Sequence, residues 1–153
     1  MPGFAHPPAD LLPHAAPMVL LDEVLAWGDE TVRASVRVAP DQPFFIPGQG
    51  IPAHVGIEWM AQACGLYAGM EALTCGEPVR LGFLLGSRHY HAIRSWFAEG
   101  EVLVVSARMI YREDGLAAFD CVIETAEEQL ASARLTVYQP DDPAPVRTDD
   151  EAR

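Results

Sequence analysis

Lysine is missing from the chain, and all ten of its basic residues are arginines. Without a lysine amine no side chain can form a Schiff base with a substrate, so that class of enzyme is excluded. The ten arginines stand beside 22 acidic residues, which gives a formal net charge of −12 and a pI of about 4.6. Because so acidic a chain is repelled by nucleic acid and by anionic membranes, we expect neither as a partner.

Cysteine is also scarce, with Cys64, Cys75 and Cys121 only. An odd number without a spacing pattern predicts neither a disulfide framework nor a zinc site, so we expect reduced thiols, no bound metal and a cytoplasmic protein. The first twenty residues carry five prolines and no basic segment, and no signal peptide is predicted. The most apolar stretch, residues 51–73, contains Glu58 and Gln62 and is too polar for a membrane span.

Length and composition predict one folded domain. A chain of 153 residues with 50% hydrophobic content is long enough to bury one core. We expect an N-terminal extension over residues 1–10, the folded domain over 11–139, and a disordered acidic tail over 140–153. The tail is rich in proline and aspartate and has no apolar periodicity.

Residues 51–73, IPAHVGIEWMAQACGLYAGMEAL, predict a long buried central helix. The segment is rich in alanine, methionine and leucine, which favour helix. Pro52 near its start suits a first helical position, where the missing N–H would have no partner in any case. At 1.5 Å per residue the helix would be roughly 30 Å long, enough to span a small domain.

The rest of the chain predicts an antiparallel sheet around this helix. Residues 31–38, TVRASVRV, alternate apolar and polar side chains as a half-buried strand does. Further strands are predicted at 18–27, within 79–93, and at 101–111, 116–124 and 129–138, with a hairpin turn at 113–115. Because most connections are short, a parallel array is excluded. The predicted class is α+β, a hot-dog fold in which a curved antiparallel sheet wraps a long central helix.

Three polar residues, His54, Glu58 and Gln62, recur every fourth position in the predicted helix, so they would line one helical face. A carboxylate set among Ile57, Trp59 and other apolar neighbours is costly to desolvate unless it is paired. Such a group is a candidate for acid/base catalysis. Because the positive end of a helix disfavours imidazolium, His54 at the helix start would remain a neutral base.

A family resemblance rests on several sequence segments. They are LLPH at 11–14, Pro17, LLD at 20–22, Val24, PFF at 43–45, Ile51-Pro52, and GIEWMAQA at 56–63. Over residues 11–138 the chain resembles the 3-hydroxyacyl-acyl-carrier-protein dehydratases, and within them the dehydratase-like proteins of aryl polyene clusters. The helix motif is the specific part of this resemblance, and the flanking strands are less so.

The resemblance implies a double hot-dog dimer whose substrate is a thioester on the 4'-phosphopantetheine arm of an acyl carrier protein, with no metal or redox cofactor. In the family a histidine removes the C2 proton, and a helix carboxylate protonates or coordinates the departing hydroxyl. Glu58 matches that carboxylate and Gln62 its supporting glutamine. The family's histidine lies in a loop before the helix, but the corresponding loop here, 44–51, lacks histidine. His54 is the nearest candidate.

Several other residues are further candidates for the site. Gly56 would either let a thioester approach backbone N–H groups or serve helix packing. Arg88 and Arg94, with Arg80, flank the strand after the helix, where guanidinium groups would bind the phosphopantetheine phosphate and carrier carboxylates. His89 and His91 belong either to a polar strand face or to a substrate-access rim. His14 is a minor candidate for catalysis.

The residues leave two alternative functions open. A thioesterase on the same fold would use Glu58 to activate water. A catalytically silent hot-dog subunit would bind an acyl carrier or pair with an active partner, and the missing loop histidine favours that alternative. Whether the predicted dimer is a homodimer or a heterodimer with another hot-dog protein also stays open.

Overall fold

The longest helix of the chain packs against one face of a six-stranded antiparallel sheet and contacts all six strands. The computed structural model describes residues 7–12, 18–79 and 82–139. His14, Arg80 and the predicted tail at 140–153 lie outside the described residues. The elements are α1 Pro8–Leu11, β1 Glu23–Gly28, β2 Thr31–Arg37, β3 Ile51–Pro52, a 3-10 turn Ala53–Val55, α2 Gly56–Thr74, β4 Phe83–Ala92, β5 Trp96–Phe97, β6 Val102–Glu113, β7 Leu116–Glu124 and β8 Gln129–Tyr138.

The strands of the main sheet follow the order β1-β2-β6-β7-β8-β4, and each neighbouring pair is antiparallel. The predicted hairpin turn is confirmed, since Glu113 pairs with Leu116 around Asp114 and Gly115. Both turn residues have positive φ, as a two-residue hairpin loop requires. Strand β4 pairs with β8 and forms one edge of the sheet. The predicted hot-dog architecture is therefore confirmed.

The alternation predicted for β2 is also confirmed, because Val32, Ala34 and Val36 are buried while Arg33 and Arg37 are exposed. Burial of these apolar side chains against the helix stabilises the fold. The helix contributes large buried side chains of its own, including Trp59, Met60, Leu66 and Met70.

Short helix α1 packs on two glycines of α2. A Cβ atom added at Gly69 would lie 2.3 Å from the Leu11 carbonyl oxygen, and one at Gly65 would lie 2.8 Å from the Leu12 side chain. The small residues of the central helix thus allow close approach of the N-terminal segment. This helical turn begins at Pro8 and ends at Leu11.

Two predicted boundaries are wrong. The central helix begins at Gly56 and not at Ile51, because Ile51 and Pro52 pair as strand β3 with Phe97 and Trp96. Tertiary pairing here overrides the preference of proline for a first helical position. The first strand begins at Glu23 rather than at residue 18, because the backbone of the preceding segment binds a side chain of α2, described below. Among the described residues, no helix has both the length and the apolar character needed to cross a bilayer.

Gly50 provides a test of this packing. Its φ is +114°, and a Cβ atom there would lie 2.1 Å from the Phe97 carbonyl oxygen. We expect Gly50→Ala to lower the free energy of unfolding by about 2 kcal/mol or more, from backbone strain and overpacking together. Gly48→Ala is the matched control, since Gly48 also has positive φ but open space around it. Urea unfolding of both variants checks this, and equal losses would contradict the packing account.

Candidate active site

The start of α2 is fixed by the segment that contains β5. The Ala53 N–H donates to the Ser95 carbonyl at 2.9 Å, directly after the β3–β5 pair. Inside the domain, the Trp59 and Phe97 rings lie 4.9 Å apart. Backbone bonds and aromatic packing together hold the first turn of the helix in place against this segment.

Gln62 is the polar centre of the site and is only 1% exposed. Its Oε1 accepts a hydrogen bond from the Leu20 N–H at 2.9 Å, and its Nε2 donates to the Met18 carbonyl at 2.6 Å. The same Nε2 donates to Glu58 Oε2 at 3.1 Å. One buried amide therefore satisfies two backbone groups of the N-terminal segment and also binds the candidate catalytic carboxylate.

The orientation of the Gln62 amide follows from its partners. Because Leu20 offers an N–H, the oxygen of the amide must face it, and the nitrogen must then face the Met18 carbonyl and Glu58. Glu58 lies in the first turn of α2 and is half-buried. Its carboxylate is thus held by a fixed donor at the positive end of a helix. Such a group can accept or deliver a proton at a defined position.

His54 lies on the 3-10 turn just before α2, and its side chain is exposed. The structure joins Glu58 and Gln62 by a hydrogen bond, whereas His54 is not one of the groups that Gln62 binds. The sequence predicts that His54, Glu58 and Gln62 line one face of an α-helix. Only Glu58 and Gln62 lie on the α-helix, because residue 54 belongs to the 3-10 turn before it. His54 remains close in sequence to Glu58 and on the accessible side of the helix start.

Tyr90 is a site residue that the sequence did not predict. It lies on β4, and its hydroxyl donates to the Ala53 carbonyl at the turn that carries His54. A Cβ atom at Gly56 would lie 2.5 Å from this hydroxyl and 2.8 Å from the Ile123 side chain. Close packing therefore gives a sufficient reason for glycine at position 56, and its predicted role beside a thioester stays a prediction. No sequence pattern links residues 53 and 90.

The two predicted docking arginines have different surroundings. Arg94 donates to Glu101 at 2.8 Å, and Glu101 also accepts a hydrogen bond from the Ala98 N–H at 2.8 Å. Arg94 therefore braces the loop after β4. Arg88 is exposed on β4, opposite Arg134 of β8. His89 and His91 are exposed on the same strand, where a bulge gives His89 a positive φ.

A comparison with known protein families decides the identity at the family level. The ApeP-like family, described as ApeP dehydratase, matches residues 6–147. The chain belongs to the ApeP-like dehydratase family. The resemblance to hot-dog dehydratases that the helix motif carries is thereby confirmed, and so is the predicted dehydration function at the level of the family.

Individual relatives agree with this assignment. A 3-hydroxyacyl-[acyl-carrier-protein] dehydratase FabZ of Proteus mirabilis is 31% identical over 133 residues, covering 82% of this chain and 86% of the relative. A FabZ of Psychrobacter arcticus is 25% identical over 142 residues, covering 90% and 97%. Among solved structures, a chain of the dehydratase heterocomplex ApeI:P from Xenorhabdus doucetiae has a TM-score of 0.85 and 33% identity, covering 91% of this chain and 94% of that one.

A thioesterase-like protein of Streptococcus pneumoniae solved with coenzyme A has a TM-score of 0.61 and 14% identity, covering 76% of this chain and 84% of that one. At such low identity the likeness supports the shared fold alone.

The partly buried hydroxyl of Tyr90 predicts how the free energy of unfolding changes with pH. Burial raises the pKa of Tyr90 to about 12, above the ordinary tyrosine value of about 10. The unfolded chain therefore ionises first. The stabilising contribution of Tyr90 is fully present below about pH 10 and is lost as the pH rises towards 12. We expect Tyr90→Phe to lower the free energy of unfolding at pH 7 by about 1 kcal/mol and to flatten its alkaline decline.

Urea unfolding at several pH values between 7 and 12 measures both effects. Tyr138→Phe is the control, because Tyr138 lies at the end of β8, away from the helix start. If the free energy of unfolding falls as steeply with alkaline pH in Tyr90→Phe as in the unsubstituted protein, Tyr90 does not contribute to that fall.

Proposed function

We propose that this protein dehydrates 3-hydroxyacyl thioesters, carried on an acyl carrier protein, to trans-2-enoyl thioesters. The observation that carries the proposal is the half-buried Glu58 held by the buried Gln62 amide at the start of the central helix. Membership of a dehydratase family and similarity to FabZ proteins support the reaction class. The aryl polyene type of substrate is part of the same proposal, through the likeness to the ApeI:P complex.

The proposed reaction is proton removal coupled to loss of hydroxide. His54 takes the proton from C2, and the C–H electron pair becomes the C2–C3 double bond. The C3–O bond breaks, and the hydroxyl leaves as water with a proton from the carboxylic acid form of Glu58. Transfer of the proton from His54 back to Glu58 through solvent restores both groups. Gln62 acts as a positioning residue because it fixes the carboxylate that meets the departing oxygen. The proposal needs no metal ion or redox cofactor, since elimination of water is neither an oxidation nor a reduction and its protons move between side chains.

A dimer is the proposed working form. Strand β4 is an edge of the sheet and carries Leu84 and Leu85, which are 42% and 59% exposed. Unpaired strand edges with apolar side chains favour pairing with another chain. The similar ApeI:P structure is a heterocomplex, so the partner is either a second copy or another hot-dog protein. A hetero-partner that supplies the base is the specific alternative, because His54 is exposed and not bound by Gln62.

Replacing Glu58 tests the catalytic proposal. We expect Glu58→Gln to fold normally, since the volume is nearly unchanged, and to lower turnover about 100-fold or more because the proton donor is lost. The measurement is the product mass after incubation with a 3-hydroxyacyl carrier protein, where dehydration removes one water and hydrolysis frees the carrier. Glu71→Gln is the matched control. Glu71 lies on the same helix but pairs with Arg112 far from the site.

Retained turnover in folded Glu58→Gln would remove Glu58 from the mechanism. His54→Ala distinguishes the two sources of the base in the same assay. A comparable loss supports His54, whereas full activity of that variant would place the base elsewhere, on His14 or on a partner chain. Release of free carrier by the unsubstituted protein would favour the thioesterase alternative.

The exposed apolar edge of β4 predicts that the protein forms a dimer. We expect a dimer in sedimentation at micromolar concentration, either from the chain alone or only after a second hot-dog protein is added. Leu85→Glu should lower the dimer fraction, because a charge would be buried at the paired edges. Val102→Glu is the control, since Val102 is 57% exposed on β6 and away from that edge. A folded monomer under both conditions would contradict the proposal.

A further inference from the structure

Strand β4 carries a β-bulge beside the candidate active site. His89 and Tyr90 of β4 share the position opposite the single residue Ala133 of β8. His89 has a φ of +59°, in the left-handed region that favours glycine, so the bulge is held at a cost in backbone strain. A strained conformation persists only where the surrounding contacts maintain it. The contacts that this bulge makes therefore indicate its role.

The bulge directs the side chain of Tyr90 towards the inside of the domain. Ala133 is buried, so the inner face of β4 at this position is the face that meets the core. His89 instead lines a depression on the outer face together with Arg134. Tyr90 points inward, where its hydroxyl donates to the Ala53 carbonyl. The residues after the bulge keep their pairing with β8, because the extra residue is accommodated here.

Ala53 is held by the same segment at both of its backbone polar groups. Its carbonyl accepts from Tyr90, and its N–H donates to the Ser95 carbonyl at 2.9 Å. Ala53 is the first residue of the 3-10 turn Ala53–Val55, which carries His54 and leads directly into α2. Residues 90–95 therefore determine the position of this turn relative to the sheet.

Little free space surrounds the hydroxyl of Tyr90. The side chain is half-buried, and a Cβ atom at Gly56 would lie 2.5 Å from the hydroxyl oxygen. An inward movement of Tyr90 would displace the helix start, and an outward movement would break its hydrogen bond to Ala53. Close contact and hydrogen bond together couple the bulge of β4 to the first turn of α2, in which Glu58 lies.

The strand that carries Tyr90 is also an edge of the main sheet. In the part of the chain that the structure describes, β4 pairs with β8 on one side and with no strand on the other. The proposed dimer pairs this free side with a second chain. Because strand pairing adds backbone hydrogen bonds along β4, it restricts the backbone angles around the bulge. The second chain therefore acts on the strand that positions the site turn.

We infer that Tyr90 is a positioning residue for the proposed reaction, and that pairing of the β4 edge with a second chain orders the turn of His54 and the start of α2 through it. The inference rests on the proposed function for the reaction and on the proposed dimer for the second chain. Tyr90 acts through the backbone of Ala53 and not by contact with substrate. Activity then depends on assembly, because the turn is fully ordered only when β4 is paired on both sides.

Steady-state kinetics tests the positioning role. With a 3-hydroxyacyl carrier protein as substrate, we expect Tyr90→Phe to lower kcat about tenfold, because displaced acid/base groups transfer protons more slowly. KM should stay within about twofold, because no substrate contact is lost. Tyr67→Phe is the matched control and should leave kcat unchanged, since Tyr67 packs on Trp27 and Phe119 away from the turn. A higher KM with unchanged kcat would contradict the positioning role, because Tyr90 would then bind substrate.

Amide hydrogen exchange tests the coupling without requiring turnover. Peptides that cover residues 53–58 are followed by mass spectrometry in the unsubstituted protein, in Leu85→Glu and in Tyr90→Phe. We expect dimer formation, produced by a higher protein concentration or by adding the second hot-dog protein, to slow exchange in these peptides about tenfold or more. Leu85→Glu at the same concentrations should exchange fast, because it pairs poorly. Tyr90→Phe should exchange fast even as a dimer.

Peptides from β7 are the internal control, because β7 has a neighbouring strand on each side in every form of the protein. Their exchange should be equal in the three proteins. Exchange at residues 53–58 that does not respond to dimer formation, or that responds equally in Tyr90→Phe, would overturn the coupling. A chain that stays monomeric with and without a second hot-dog protein would also overturn it, since nothing then pairs with β4.

Failure of this inference and failure of the proposed reaction give different results. If the unsubstituted protein dehydrates no substrate while exchange at residues 53–58 depends on both the dimer and Tyr90, the coupling stands and the reaction fails. If Tyr90→Phe dehydrates the substrate at the unsubstituted rate, the positioning role fails and the reaction stands.

Discussion

The buried amide of Gln62 is the interaction on which the site depends. A primary amide excluded from water is stable only when its donors and its acceptor are bound, and each buried polar group left without a partner costs about 1–3 kcal/mol. Gln62 finds these partners in the backbone of residues 18 and 20 and in Glu58. The fold of the N-terminal segment and the orientation of the carboxylate are therefore set by the same side chain. Structural and chemical requirements coincide at this position.

The helix start is held from two further sides. Strand β3 and the Ala53 N–H bind the segment that contains β5. The hydroxyl of Tyr90, on the edge strand β4, donates a hydrogen bond to the Ala53 carbonyl. Because these contacts converge on a 3-10 turn, the backbone leading to Glu58 is fixed before the α-helix begins. Glu58, in the first turn of a helix so held, therefore has a fixed backbone position. Such pre-organisation is what acid/base chemistry at a defined atom requires.

Sequence patterns predicted the parts of the fold that depend on local preference. The alternation in β2 and the turn at Asp114-Gly115 follow from side-chain period and backbone conformation, and both are confirmed. The helix start was predicted wrongly, because β3 pairs with a segment more than forty residues away. The bond between Tyr90 and Ala53 was not predicted for the same reason. Bulges in β4 and β6 shift the register between strands, and no single segment of sequence records that shift.

Because the chain has no lysine, its basic residues are all arginines, and guanidinium groups make its ion pairs. Arg94 and Arg112 each form an ion pair that ties one segment to another, and the pair of Arg112 with Glu71 is bidentate, as the planar guanidinium allows. The arginines of the outer sheet face are instead aligned by the strand register, with Asp120 shared between two of them. Since like charges repel, that row is tolerated because it is exposed to solvent and partly neutralised by Asp120.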